Sequence, residues 1–523
     1  MSERRNTTAH LPKMEILFYS LVWIVHSLLA LYIAWNSSVK FRLHLFLEPS
    51  KFINGLQQDG TDSEWSLYSK SLSRILITSI SHTGTFSIYI YVIDDRIQHF
   101  FSHSKILFQK QANFSTTCTI TVSILAALMA ILAYYCRKEL IFWLIIITFM
   151  VKINLIIHFN DSIDVHYREF NYYLYSAIKI LNFCIHLSRN KDTNITSSLL
   201  YRYAQYLFYP PYAIILIVLF NDFDTQMTEI EKGYSKSTNY RDLLQRLVRI
   251  ILWFIVFEAI LHVIHVHAIF ATSPIQFNNL SEYEIASIAY INGKLFYMKY
   301  LLIFGIPSWF ASIDGMKPPA GPVCISRISK YSQMWRSFDR GLYLFLKHQV
   351  YIPIVSDPSS KLFTLRRFVA MITVFLFVLA WHGTSSNYIC WVLLNALEIC
   401  IEWLGSAICA TTFYNKLREF LGPRGERRLI AIAMLSTVVP GIFGVFFFLS
   451  RQKIGMIIFE RLFLNLVLAP EYAILNLSQR SFRLAAMALH FLFLGYCYNH
   501  VCLELEKYFT SKSLEEKAKQ KEL

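Results

Sequence analysis

Residues 324–354 read CISRISKYSQMWRSFDRGLYLFLKHQVYIPI, and after a short polar connector residues 368–383 read FVAMITVFLFVLAWHG. The first stretch is basic and amphipathic, and it carries Trp335, Arg336, Asp339 and Tyr351. The second is an apolar run of helix length that ends at Trp381-His382-Gly383. Together they read as a membrane hairpin with one ionisable group toward each end. A charge inside lipid costs about 2.5 kcal/mol or more, so Asp339 and His382 are functional candidates by default. A lone His at the interface end of a span is as often structural; the acid upstream is what singles this one out.

Working outward, the rest of the chain has the same character. Of its 523 residues 55% are hydrophobic and only 16% charged, and the mean hydropathy is +0.39. Soluble domains carry about 25% charged residues. The apolar residues come in blocks of about 20, the length that crosses a bilayer core of roughly 30 Å. These blocks fall at 16–35, 71–92, 118–136, 140–157, 172–187, 199–220, 247–269, 285–310, 368–381, 388–411, 429–449, 457–476 and 482–502. Those at 71–92 and 172–187 are short or polar enough to be re-entrant, which is allowed where protein covers the backbone. Ten to twelve crossings is the rough estimate on length. The expected organisation is a cytosolic N-terminus at 1–13, one membrane domain at 14–505 and a charged tail at 506–523. The block at 16–35 is expected to stay as a span, since no small-residue cleavage site follows it.

A net charge of +15 needs a partner. Basic loops held at the cytosolic face and drawn to anionic membrane lipids are the first reading. An anionic soluble substrate such as a nucleotide-bearing acyl donor is the second. Nucleic acid is excluded as a partner, because no basic region stands clear of the membrane. The nine cysteines show no framework spacing and mostly fall inside apolar runs, which speaks against a disulfide scaffold or a zinc module. Cys324 differs in lying within the polar connector. GPRGERRL at 422–429 predicts a cytosolic flank through Arg424, Arg427 and Arg428, and 222–246 reads as an amphipathic surface helix.

Histidine titrates nearest neutrality, which suits His382 to take a proton from an amine or a hydroxyl. Asp339 can orient that imidazole, hydrogen-bond the incoming nucleophile or, if protonated, donate to a carbonyl oxygen. A rival set is Glu258, His262, His265 and His267, whose spacing places the first three on one helix face. Such spacing can bind a metal, but a polar network that ties helices together or lines a tunnel is the preferred reading, and no metal site is expected.

A His at the end of an apolar helix, preceded by an acid in an amphipathic connector, resembles the membrane-bound O-acyltransferases. The run PPAGPVCISRISKYSQMWRSFDRGLYLFLKHQVYIPI is similar to the corresponding region of the Hedgehog acyltransferases, which place an Asp where most of the family has Asn. GLQQDGTDSEWS, HAIFATSPI at His267, KYLLIFGIPSW at Lys299 and GYCYNHV at Tyr496 resemble the same subfamily. The resemblance implies an all-α polytopic membrane fold of about ten transmembrane helices plus re-entrant helices around a central tunnel. It also implies transfer of a palmitoyl group from palmitoyl-CoA to the N-terminal cysteine of a secreted protein in the endoplasmic reticulum membrane, possible also in the Golgi. The lysine-rich end at 519–523 fits a retrieval signal for that compartment. His382 would be the catalytic base and Asp339 its partner, with Trp335 flanking the reaction centre and His267 lining the tunnel. Read from charge rather than from the resemblance, whose pattern Lys347 and His348 leave, Arg336, Lys347 and His348 beside Asp339 suit the coenzyme A phosphates. An ordinary cytosolic basic flank is the alternative, and Tyr351 in the same run is a further substrate-binding candidate. Cys324 matches the position that holds haem b through a thiolate in that subfamily; on its own it reads equally as an inert or palmitoylated cysteine. A transferase with a serine or lipid acceptor and a catalytically silent scaffold of the same fold are the alternatives.

Overall fold

Backbone amides have no water to bond to in lipid, so apolar runs must close their hydrogen bonds internally. The computed structural model describes residues 9–92, 116–157, 163–191, 194–233, 239–328, 330–450, 453–464 and 479–522, and nearly all of them obey this by folding into helices. The first half contains α1 (Lys13–Phe41), α2 (Ser63–Val92), α3 (Thr116–Tyr135), α4 (Glu139–Ile156), α5 (Ile163–Arg189), α6 (Ser197–Phe208), α7 (Phe220–Glu231) and α8 (Tyr240–Val263). Then come α9 (Glu282–Ile313), α10 (Tyr331–Phe338), α11 (Arg340–Phe345), α12 (Phe363–His382), α13 (Ser386–Ile408), α14 (Thr412–Ala433), α15 (Leu435–Leu449) and α16 (Gln479–Glu522). Glu48–Pro49 and Gln57–Gln58 form a two-residue antiparallel pairing, Glu48 opposite Gln58, in the loop between α1 and α2. Among the described residues eight helical segments are long and apolar enough to cross a membrane.

α9 is the axis of the bundle. Ser281 and Glu284 close a reciprocal capping box at its start, which satisfies two otherwise orphaned amides. Its packed face runs from Ile285 to Phe310 and meets α1, α2, α8 and α15. One apolar cluster joins α3, α4, α5 and the segment 203–230 to α12. A second joins α8, α9 and α15.

The run 199–220, expected to be one span, is not one. Pro210 and Pro211 deny the helix its amides; α6 stops at Phe208, a 3₁₀ turn covers Pro210–Tyr212, and an irregular segment leads to α7. The run at 172–187 lies within α5, where almost every residue is buried by protein rather than lipid. The run at 247–269 breaks where α8 ends at Val263, before a short turn at Val266–Phe270. Of the run at 457–476, residues 465–476 lie outside the described residues. The expected surface helix at 222–246 is covered by α7 and the start of α8, with 234–238 outside the described residues. α14 is broken at Gly422–Pro423, with Gly422 at φ +64°. Arg427 there is buried rather than flanking solvent: its guanidinium meets Glu504 and the carbonyl of Ala9. Arg428 forms a two-pronged pair with Glu15.

Candidate active site

α10 and α11 meet at Asp339. The residue ends α10 in an extended conformation and caps α11, its Oδ1 accepting from the Leu342 amide at 2.9 Å. This is what an Asp before a helix ordinarily does; it leaves the other carboxylate oxygen for another partner. Burial pushes the Asp339 carboxyl up to about 6, against the Leu342 and Gly341 amides, which favour the ion. Gly341 is required by close approach, because a Cβ there would stand 2.3 Å from the backbone oxygen of Ile217. The irregular segment after Pro211 thus presses directly on the turn that aims Asp339.

His382 is the last residue of α12. Gly383 follows at φ +103°, a left-handed conformation that suits glycine and turns the chain sharply after the imidazole. The ring stands edge-on to Trp391 (5.2 Å) and Phe448 (5.3 Å) and 6.0 Å from Tyr388. Trp335 stacks near Trp391 at 6.1 Å, meets Phe375 edge-on and donates its indole N–H to Asn395 Oδ1 at 3.1 Å.

A cavity of about 1340 Å³ is lined by Asp339, His382 and Trp335 together. That exceeds the roughly 300–1,000 Å³ of ordinary small-ligand sites and leaves room for two substrates. Among the described residues no hydrogen bond or ion pair joins Asp339 to His382, so the acid does not hold the imidazole directly. Each of them faces the space between. Both side chains are only half-buried because they look into this cavity.

The cavity has a charged end. Lys299 on α9 meets Asp62 at 2.8 Å and Glu64 at 2.7 Å, and Tyr300 donates to Glu64 at 2.8 Å. His267 lines the same end, 3.7 Å from Asp62. Burial opposes ionisation of Asp62, yet Lys299 and then His267 hold its carboxyl well below the ordinary carboxylate range. Asp62, Glu64 and Tyr300 were not singled out from sequence. The sequence signal that could have found the cluster is Lys299, because a lysine in a membrane span is itself out of place.

The rival histidine set disperses. α8 ends at Val263, so His265 sits between helices rather than one turn beyond His262. Glu258 accepts from the Trp65 indole, and His262 contacts Ser50. Only His267 reaches the cavity. No group of three or more candidate metal ligands occurs among the described residues.

Arg336, Lys347 and Tyr351 do not line the cavity. Arg336 is exposed and folds back on Ser332; Lys347 and Tyr351 belong to a π-helical segment, Leu346–Tyr351, that continues α11. Lys330 and Lys294 supply cavity-lining cations instead. Cys324 is partly buried against the second apolar cluster. The cavity runs past its neighbours Ile325 and Ile328 without including the thiol. Nothing in these surroundings supports a haem at Cys324.

An almost wholly helical bundle, with eight helical segments able to cross a membrane among the described residues and an imidazole and an acid lining one large cavity, defines a polytopic membrane protein. Residues 131–439 match the MBOAT, membrane-bound O-acyltransferase family, and the chain belongs to that family. It is 31% identical over 260 residues to the protein-cysteine N-palmitoyltransferase HHAT of Mus musculus, covering 49% of this chain and 51% of that protein. It is 30% identical over 220 residues to the protein-cysteine N-palmitoyltransferase Rasp of Drosophila melanogaster, covering 42% of this chain and 43% of that protein. The membrane-bound O-acyltransferase GUP1 of Saccharomyces cerevisiae is 26% identical over 211 residues, or 40% of this chain and 35% of that protein. The chain thus spans about half the length, or less, of these relatives.

Proposed function

We propose that this protein moves a palmitoyl group from palmitoyl-CoA to the N-terminal cysteine of a secreted signalling protein of the Hedgehog type. The observation that carries the reading is the single cavity onto which Asp339, His382 and Trp335 all open. The similarity to two protein-cysteine N-palmitoyltransferases supports the choice of acceptor. In this reading the acceptor nitrogen bonds to the thioester carbonyl carbon as the carbon–sulfur bond breaks. His382 takes the proton from that nitrogen and returns it to the departing coenzyme A thiolate. Asp339, ionised, accepts a hydrogen bond from the acceptor amine and holds it at attacking distance. The work is done in the endoplasmic reticulum membrane, where secreted proteins are within reach.

The similarity to GUP1, an O-acyltransferase by name, favours a second reading with a hydroxyl acceptor. One experiment separates the two. Purified protein is given an alkyne-tagged palmitoyl-CoA with a peptide bearing an N-terminal Cys, the same peptide acetylated, and a lipid bearing a free hydroxyl. Labelling of the free-Cys peptide alone, lost in His382→Ala, supports the proposal. Labelling of the lipid alone overturns it in favour of the second reading, and labelling of nothing overturns both.

A further inference from the structure

α10 is a helix of only eight residues, yet it carries Trp335 and delivers Asp339 at its end. It has no side-chain cap of its own: Lys330, before its first turn, makes no capping hydrogen bond. A helix start leaves amides that need partners, and here the partner comes from a different element. Glu402 on α13 accepts from the Ser332 amide through Oε1 at 3.1 Å, and its negative charge sits where the helix dipole favours one. Seven residues earlier on the same face of α13, Asn395 Oδ1 accepts from the Trp335 indole. Asn395 is itself held, its amide donating to the Trp391 carbonyl one turn back, and it is wholly buried. The donors Ser332 and Trp335 are three apart on α10, hence also on one face. Trp391, at the start of this α13 stripe, is the ring against which His382 stands.

We infer that Asn395 and Glu402 are positioning residues that dock α10 onto α13, setting Trp335 and Asp339 in register with His382. The inference rests on the proposed roles of Asp339 and His382. α13 therefore acts as a ruler: its upper turn meets the imidazole through Trp391, and its next two turns place the helix that ends in the acid. Neither positioning residue lines the cavity.

The test uses the full-length protein in detergent with palmitoyl-CoA and the N-terminal-Cys peptide. Glu402→Leu removes the acceptor, and Glu402→Gln keeps an oxygen at the same place. Asn395→Leu removes the second acceptor. The expected result is a fall in kcat of on the order of ten- to a hundredfold in Glu402→Leu and Asn395→Leu, the scale of a small misplacement of a reacting group. KM for palmitoyl-CoA should stay near its original value, and Glu402→Gln should recover most of the lost kcat. The acid limb of the pH profile should move in Glu402→Leu but not in Glu402→Gln. Undiminished kcat in Glu402→Leu, or a Gln variant no better than the Leu variant, overturns the inference. If Asn395→Leu fails to fold, the Glu402 pair decides alone. Asp339→Asn is measured alongside: wild-type transfer by that variant would sink the proposed chemistry itself, a different outcome from an inert Glu402.

Discussion

In the proposed reaction Asp339 has two jobs in one carboxyl group, and they can be separated. One oxygen caps α11, which Asn can also do, whereas ionisation is open only to Asp. Burial sets that ionisation near neutrality, with the carboxyl raised to about 6. A raised carboxyl is protonated below that point and charged above it, so transfer should rise with pH through about 6 and then level off. Asp339→Asn should remain folded and lose that limb, falling by on the order of a hundredfold at pH 7 because a neutral amide holds the acceptor amine less firmly than a carboxylate does; rate measurements across pH 5–8 check this. His382→Ala should fall at least as far, at every pH, with an unaltered elution profile on size exclusion. At this scale the sequence was readable. An imidazole after fourteen apolar residues and an acid in an amphipathic connector are both out of place, and misplacement is visible without coordinates. Asn395 and Glu402 gave no such sign, because a polar residue on a span becomes informative only once its partner is known. Arg336, Lys347 and Tyr351 are candidates from their place in the sequence, and none of the three is among the residues that line the cavity.

Helices and the breaks between them decide where those residues point. The segment after Pro211 abandons helix, passes through Ile215 at φ +78° and brings the Ile217 backbone onto Gly341. Gly341→Ala should therefore be poorly tolerated. Backbone cannot swing aside as a side-chain tip can, and overpacking costs about 1–3 kcal/mol or more. The variant should show a lowered melting temperature and a transfer rate reduced beyond what its folded fraction explains, since the displaced turn carries Asp339. Apolar content predicted the long helices well, because lipid leaves a spanning backbone little choice. It misread 199–220, where a proline pair outweighs the hydropathy of the window, and it ran 247–269 through the end of α8. Composition averages over about 20 residues; a break needs only two.

At the scale of the molecule, a central helix joins two apolar clusters, and the cavity lies where elements from both meet. Its charged end ties the loop before α2 to α9 through Lys299, Asp62 and Glu64, with Tyr300 and His267 beside them. Removing one member of a buried ion network leaves the others uncompensated, at a cost of about 3–5 kcal/mol. Lys299→Met should lower the melting temperature of the detergent-solubilised protein by several degrees, and Lys299→Met with Asp62→Asn should recover part of it; differential scanning fluorimetry reads both. A double variant less stable than the single would remove this network from the account of the fold. By itself the amino-acid order determined that this is a helical membrane protein, and it singled out an acid and an imidazole in its second half as candidate reactive groups. Both follow from local facts: how apolar a window is, and how costly a charge is within it. Only the tertiary structure decided that Asp339 and His382 share a chamber without touching. It alone also showed that an ion network between Lys299 and the chain at Asp62 and Glu64 lines one end, and that α13 carries contacts to α10. Those are distances between residues tens or hundreds of positions apart, set by how helices pack against one another, and no window of sequence contains them.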